Sequence, residues 1–411
     1  MKLKPFQVEG AQFLASRTRA LLADEPGVGK TAQLITACYK AKADTVGVIC
    51  PSIGIEHWRR EFLKWEQADR DKLLVDIIPW GDAHRVKPRA PWDVLIPDEV
   101  QFGKNPQARR TRAVFGTGGL VWHAKRIWAA SGTPAPNHAG ELWPILRAFG
   151  LTKMDQEQFV QHFCRVHSMT GKVLGNRPER VAELRGILKS FSIRRLKKDV
   201  LPELGAIDIQ EWYVSPSARF TFDVLPDQDA LRAEIAGKSD EDLLTFLAGS
   251  EEFSTLRRYN ALLKAPAVFE TVKFELENGL LDKVVIYGIH IEAMEALQRN
   301  FGWAKIPSTL IIGDTPIKQR DAMIEDWKRH GQVLIASSLI ANTALDFSCC
   351  HQGIMIELDW TPGGNLQAMQ RMHRHGQDNP VTVRVAIGTP VDEIVSDVLI
   401  RKTKSLAEIF D

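Results

Sequence analysis

The segment Asp24-Glu25-Pro26-Gly27-Val28-Gly29-Lys30-Thr31 follows a short apolar run at 19–23 and leads into helical spacing at 31–42. Strand, glycine-rich turn and helix in that order can cradle a phosphate chain. Backbone N–H groups of Gly27, Val28 and Gly29 and the helix N-terminus hold the anion, Lys30 reaches the β- and γ-phosphates, and the Thr31 hydroxyl ligates Mg²⁺. Asp24 stands where the common pattern has its first glycine, and taken alone Gly-Lys-Thr is also compatible with a simple turn capping a helix. A second group, Asp98-Glu99, follows the run Asp93-Val94-Leu95-Ile96-Pro97. Acids at a strand end can hold Mg²⁺ through Asp98 and orient an attacking water through Glu99. Adjacent acids are otherwise ordinary turn residues, and the phosphate loop upstream tips the reading toward catalysis. The third group is Arg371 and Arg374 within 367–377. A spacing of three predicts a helix that presents both on one face, where they can neutralise charge developing on a γ-phosphate or merely form a basic surface. His351, His373 and His375 have no Cys or acid at ligand spacing, so no structural zinc is expected.

These groups need a scaffold, and the 411-residue chain is long enough for two to three domains. Its 44% apolar and 25% charged content is that of a globular protein and excludes global disorder. No apolar stretch approaches the roughly 20 residues of a membrane span, so no membrane partner is expected. Met1-Lys2-Leu3-Lys4-Pro5 has no apolar core behind its lysines, and the five cysteines show no C-x-x-C spacing. Both point to an intracellular, reducing, cytoplasmic setting. The net charge of +2 conceals two blocks: ten Lys/Arg against three Asp/Glu over 165–200, and two against nine over 221–255. The basic block can attract a polyanion locally, although a charge run is also what a solvated face looks like.

Short apolar runs at 19–23, 45–50, 92–96 and 126–130 alternate with helical stretches at 31–42 and 55–65, the latter carrying Trp58, Phe62 and Trp65 on one face. The alternation returns with candidate strands at 283–287, 309–312, 332–336, 353–357 and 381–386. Such alternation implies parallel sheets covered on both faces. The fold expected is α/β, with one lobe over 1–206 and a second over 207–411. A basic helical protrusion is expected at about 153–200, an acidic helical insertion at about 221–264, and a ligand cleft between lobes.

The ordered motifs resemble those of Swi/Snf-type ATPases of the second helicase superfamily. Leu3-Lys4-Pro5-Phe6-Gln7 is similar to an opening motif whose Gln reads adenine. Residues 23–31 resemble a phosphate loop that also has Asp in place of Gly. Asp98-Glu99-Val100-Gln101 with Lys104-Asn105, Ser131-Gly132-Thr133-Pro134 and Arg194-Arg195-Leu196-Lys197-Lys198 follow in family order. In the second half Leu256-Arg257-Arg258, residues 337–348 and residues 367–377 resemble the annealing-helicase-like branch of SMARCAL or HARP type. The resemblance implies two RecA-like parallel-sheet lobes, ATP and Mg²⁺ as cofactors, and an ATPase that translocates on duplex or branched DNA. The alternatives are a strand-separating helicase acting on DNA or RNA and a non-catalytic DNA-binding scaffold.

By the same resemblance Gln7, residues 27–31 and Gln367 bind nucleotide, Thr31 and Asp98 hold the metal, and Lys30, Asp98, Glu99, Arg371 and Arg374 carry catalysis. Lys104, Arg109, Arg110, Arg112, Arg194, Arg195, Lys197 and Lys198 are the expected contacts to DNA phosphates, with packing inside the first lobe as the alternative for Arg194 and Arg195. Gln101 replaces the family's His, Ala344 a Gly, and Asp346 adds a carboxylate near the expected DNA path. With no flanking accessory segment recognised, the chain reads as a bare motor of bacterial or phage source.

Overall fold

The computed structural model describes residues 3–65, 73–88, 90–168, 170–202, 206–215, 251–338, 345–359, 362–374 and 377–389, with 392–393, 395–396 and 399 beyond them. The chain divides into two compact units, the first comprising Met1–Pro202 and the second beginning at Glu203. The expected division lay four residues later.

In the first unit the strands are β1 (Arg19–Leu22), β2 (Thr45–Cys50), β3 (Leu74–Pro79), β4 (Trp92–Pro97), β5 (Ala124–Ala130) and β8 (Ser192–Ile193). They form one parallel sheet in the order β3-β2-β4-β5-β1-β8. Helices α1 (Pro5–Ala15), α2 (Lys30–Lys40) and α3 (Ile55–Lys64) accompany one buried cluster containing Leu14, Leu34, Ile35, Trp58 and Trp128. Helices α4 (Arg109–Phe115), α5 (Trp143–Ala148), α6 (Gln156–Phe163) and α7 (Val181–Phe191) accompany the other, with Trp80, Trp92, Phe115, Leu142, Phe159 and Phe191. Apolar cover on both faces is why the central strands are continuous apolar runs rather than alternating ones. Residues 24–31, 98–99 and 131–134 leave the carboxyl ends of β1, β4 and β5, where an open parallel sheet places its ligands.

The second unit has β9 (Asp208–Tyr213), β10 (Val284–Gly288), β11 (Ser308–Ile311), β12 (Val333–Ser337), β13 (Gln352–Met355) and β14 (Thr382–Ile387). They are parallel, in the order β11-β12-β10-β13-β14-β9. The core lies between this sheet and the helices Glu251–Glu277 and Ile291–Trp303, with Val268, Val272, Leu297 and Phe301 fully buried. Two parallel sheets with crossover helices are the expected RecA-like lobes.

Three expectations change. The 153–200 segment is not only helical: an antiparallel hairpin, β6 (Cys164–Val166) with β7 (Val173–Asn176), interrupts it, and β8 joins the main sheet beside β1. Residues 221–250 of the acidic insertion lie outside the described residues, and 251–264 begin the long helix Glu251–Glu277. The helix carrying the third motif ends at Met369, so Arg371 and Arg374 occupy the turns after it and do not share a helical face.

Candidate nucleotide site

The phosphate loop runs from the end of β1 to the start of α2. Gly27 and Gly29 take left-handed backbone angles, φ 85° and 84°, open to glycine at no steric cost. A Cβ on Gly29 would stand 2.3 Å from Gln7 Nε2, so this glycine also makes room for the residue expected at adenine. Gln7 Nε2 donates to the Val28 carbonyl at 3.2 Å, and the Gln7 side chain also caps the start of α1 through the Lys4 N–H at 3.0 Å. Lys30 Nζ lies inside the loop, donating to the carbonyls of Asp24 at 2.8 Å and Glu25 at 3.2 Å. An ammonium curled onto loop carbonyls, two left-handed glycines and Thr31 in the first turn of α2 fit a polyphosphate with its Mg²⁺.

Asp24 explains its departure from glycine. It is fully buried, and Arg195 meets it with two donors, Nε to Oδ1 at 3.0 Å and Nη2 to Oδ2 at 2.5 Å. Gln33 Nε2 donates to Oδ2 at 3.1 Å, and Arg195 also donates to Gln33 Oε1 and to the Phe6 carbonyl. These groups press so closely on α1 that a Cβ on Gly10 would fall 1.8 Å from Gln33 Oε1. Arg194 Nη1 donates to the carbonyls of Ala23 at 3.1 Å and Gly132 at 3.2 Å, and the Lys197 N–H donates to Glu25 Oε2 at 2.6 Å. Arg194, Arg195 and the buried Lys197 therefore do not form part of an exposed DNA footprint. The Arg194 and Arg195 guanidiniums bond inside the first unit, and Lys197 is buried there, because β8 runs beside β1 and delivers residues 193–197 to the phosphate loop. Lys198 alone of that group is exposed.

Asp98 follows β4, its N–H bonded to the Ile49 carbonyl of β2. Trp58 Nε1 donates to Asp98 Oδ2 at 2.8 Å, the Glu99 N–H to Oδ1 at 3.0 Å, and Trp80 Nε1 to the Asp98 carbonyl at 2.9 Å. Burial first, and the neighbouring Glu99 charge second, push the Asp98 carboxyl up to about 7 against the opposing pull of Trp58 and Lys30. A carboxylate so disfavoured in isolation is suited to a divalent cation. Glu99 is in the left-handed region, φ 49°, a conformation that a non-glycine side chain adopts under constraint. Gln101 Nε2 donates to Glu99 Oε2 at 2.8 Å, while Ser131 Oγ donates to Gln101 Oε1 at 2.6 Å and accepts from the Thr133 N–H. The amide that stands at the position of the family's histidine thus links Glu99 to the segment after β5.

Of the remaining expected DNA contacts, Lys104 is paired with Glu141 at 2.9 Å and is a weaker candidate than its charge suggested. Arg109, Arg110 and Arg112 are exposed on α4, whose Thr111, Val114 and Phe115 are buried. In the second unit Gln367 and Arg371 are buried and Arg374 half-buried. Both arginines act electrostatically on the buried Tyr287 phenol, which burial raises well above its usual range. Gln377 is a staple, its Nε2 donating to the carbonyls of Ser348 and Cys350 at 2.9 Å each. Asp346 is held below the ordinary carboxylate range: burial opposes this, but the Ser348 bonds, Lys328 and Arg374 outweigh it. Sequence reasoning placed Trp58 on an apolar helix face, took Arg194 and Arg195 as DNA contacts with inward packing as the alternative, and missed Trp80 and Gln33. The local sequence signal for an inward partner was Asp24 itself, a carboxylate standing where the loop pattern has glycine.

Comparison with known proteins then places the chain. The family described as SNF2-related domain matches residues 6–85 and 76–218, and the helicase conserved C-terminal domain matches 267–376. SWI/SNF-related matrix-associated actin-dependent regulator of chromatin subfamily A-like protein 1 of Bos taurus is 29% identical over 99% of this chain and 44% of its own length. DNA annealing helicase and endonuclease ZRANB3 of Bos taurus is 27% identical over 98% of this chain and 40% of its own. The chain thus spans less than half the length of these relatives, which are animal proteins and lend no support to a bacterial or phage source. A solved structure titled as the Sulfolobus solfataricus SWI2/SNF2 ATPase core in complex with dsDNA aligns over 100% of this chain and 97% of its own, at 20% identity and TM-score 0.45. With more than half of its residues matched by one family, the chain belongs to the SNF2-related proteins.

Proposed function

We propose that this protein is a DNA-dependent ATPase that couples hydrolysis to translocation along duplex or branched DNA, with strand annealing or remodelling as the outcome. The observation that carries this reading is the gathering, within one unit, of the Gly27–Thr31 cradle, Lys30, the raised Asp98 carboxyl and the constrained Glu99 in a chain of the SNF2-related family. The relatives named for DNA annealing support the choice of DNA.

ATP with Mg²⁺ would supply the phosphoanhydride bond and the cation that neutralises its developing charge. Gln7 would meet adenine, and the loop N–H groups and Lys30 would hold the phosphates. Thr31 and Asp98 would ligate Mg²⁺, and Glu99 would orient water. Arg371 and Arg374 would add positive charge to the γ-phosphate, and Gln367 would belong to the same nucleotide set. Arg109, Arg110, Arg112 and Lys198 remain the electrostatic footprint for DNA. A motor that follows one strand's phosphates gains nothing from unstacking base pairs, which costs about 1.4 kcal/mol per step. An intracellular, reducing setting belongs to this reading. All five cysteines are free thiols, and burial raises Cys164 to about 11 and Cys350 to about 12. Among the described residues no helix is long and apolar enough to cross a membrane.

The test is ATP-dependent displacement of a fluorescent triplex-forming strand, run beside separation of a blunt duplex. Triplex displacement or reannealing without processive unwinding is expected. Efficient unwinding without triplex displacement would favour a strand-separating helicase instead.

A further inference from the structure

Asp98 is held by two tryptophans as well as by its own strand. Trp80 reaches only its backbone carbonyl. Trp58 reaches the carboxylate itself, from α3, with the indole fully buried. A carboxylate turns easily about its terminal torsion, so one donor leaves its plane free. Donors on different oxygens, Trp58 Nε1 on Oδ2 and the Glu99 N–H on Oδ1, fix that plane. We propose that Trp58 is a positioning residue for the metal carboxylate: its indole N–H sets the direction in which the free lone pairs of Asp98 face the divalent cation. The inference rests on the reading of Asp98 as the Mg²⁺ ligand. A buried indole needs some acceptor, and a merely structural Trp58 would be equally satisfied by a backbone carbonyl. Its partner here is the one acid of the site that takes the metal. Groups that hydrogen-bond to a ligating carboxylate typically account for 10–100-fold in metal affinity or activity.

The experiment replaces Trp58 with Phe and, separately, with the benzothienyl isostere, in which sulfur takes the place of N–H at nearly constant volume. Mn²⁺ binding in the presence of ADP is read by electron paramagnetic resonance, with melting temperature and ATP turnover at saturating metal measured alongside. The isostere should raise the Mn²⁺ dissociation constant by about 10-fold or more, keep its melting temperature, and recover most of its turnover at saturating metal. Unchanged Mn²⁺ affinity in the isostere would overturn the proposal, as would a loss of turnover that metal does not restore. If the Phe variant fails to fold, the isostere carries the comparison. Asp98→Asn separates the two layers. If it leaves Mn²⁺ affinity intact, the metal role of Asp98 fails; if it abolishes binding while the isostere binds normally, only the role of Trp58 fails.

Discussion

Asp24 is fully buried, and Arg195 and Gln33 together donate to both of its carboxylate oxygens. Removing one partner of such a pair leaves an uncompensated charge, which typically costs about 3–5 kcal/mol. Arg195→Ala should therefore lower the melting temperature of the first unit by about 10 °C and weaken ATP binding, while the salt dependence of DNA binding stays unchanged. A flattened salt slope with unchanged melting would return Arg195 to the DNA surface. Arg195→Lys should rescue little, because an ammonium cannot make the paired contact. At the reacting end, Lys30→Ala and Glu99→Gln should both abolish turnover, and Glu99→Gln should still bind a fluorescent ATP analogue because the cradle is untouched. The phosphate-binding residues were legible in the sequence because the loop is local: glycines, Lys30 and Thr31 are neighbours in the chain. The partner of Asp24 was not, because it lies 171 residues away and is brought near only by the pairing of β8 with β1.

Strand starts and helix faces carry the next level of the account. Asp93 at the start of β4 accepts from the N–H groups of Asp44 and Thr45, from the Thr45 hydroxyl and from Lys125. Burial opposes ionisation, but these donors outweigh it and hold the carboxyl at about 2. A depressed carboxyl stabilises the fold fully above its unfolded value, near 3.9, and loses that contribution as pH falls through its folded value. Asp93→Asn should accordingly lower the melting temperature at neutral pH, and the gap from the wild type should close between about pH 4 and pH 2. A gap independent of pH would assign the effect to packing alone. On α4, replacing Arg109 and Arg112 with Ala should reduce the log–log salt slope of duplex binding by about 0.9 for every DNA phosphate that is no longer neutralised, with melting unchanged. Arg110 also holds the Phe102 carbonyl at 2.7 Å, so its replacement should lower melting as well. The central strands were readable from sequence because burial on both faces makes them continuous apolar runs. The edge strands β3 and β9 were not, because β3 alternates between exposed and half-buried positions and β9 is almost wholly exposed. The break after Met369 was hidden because the spacing of Arg371 and Arg374 fits a helix that the chain does not continue.

The whole molecule has two lobes of one α/β type, each with a six-stranded parallel sheet, in a chain matched by the SNF2-related family over its first half and by the helicase C-terminal family in its second. If Arg371 and Arg374 supply charge to the γ-phosphate, Arg371→Ala or Arg374→Ala should lower kcat by about 10³-fold, the scale expected when an arginine finger is removed, with a much smaller effect on ATP affinity. Unchanged kcat would leave both as structural groups of the second unit around Tyr287. The most direct test of the central claim is the initial rate of ATP hydrolysis measured with no nucleic acid and with single-stranded DNA, duplex DNA, forked DNA and RNA, using Glu99→Gln as the inactive reference. The expected result is a low basal rate that rises strongly with duplex or forked DNA and vanishes in the reference protein. Stimulation by RNA alone, or a rate indifferent to every nucleic acid, would contradict it.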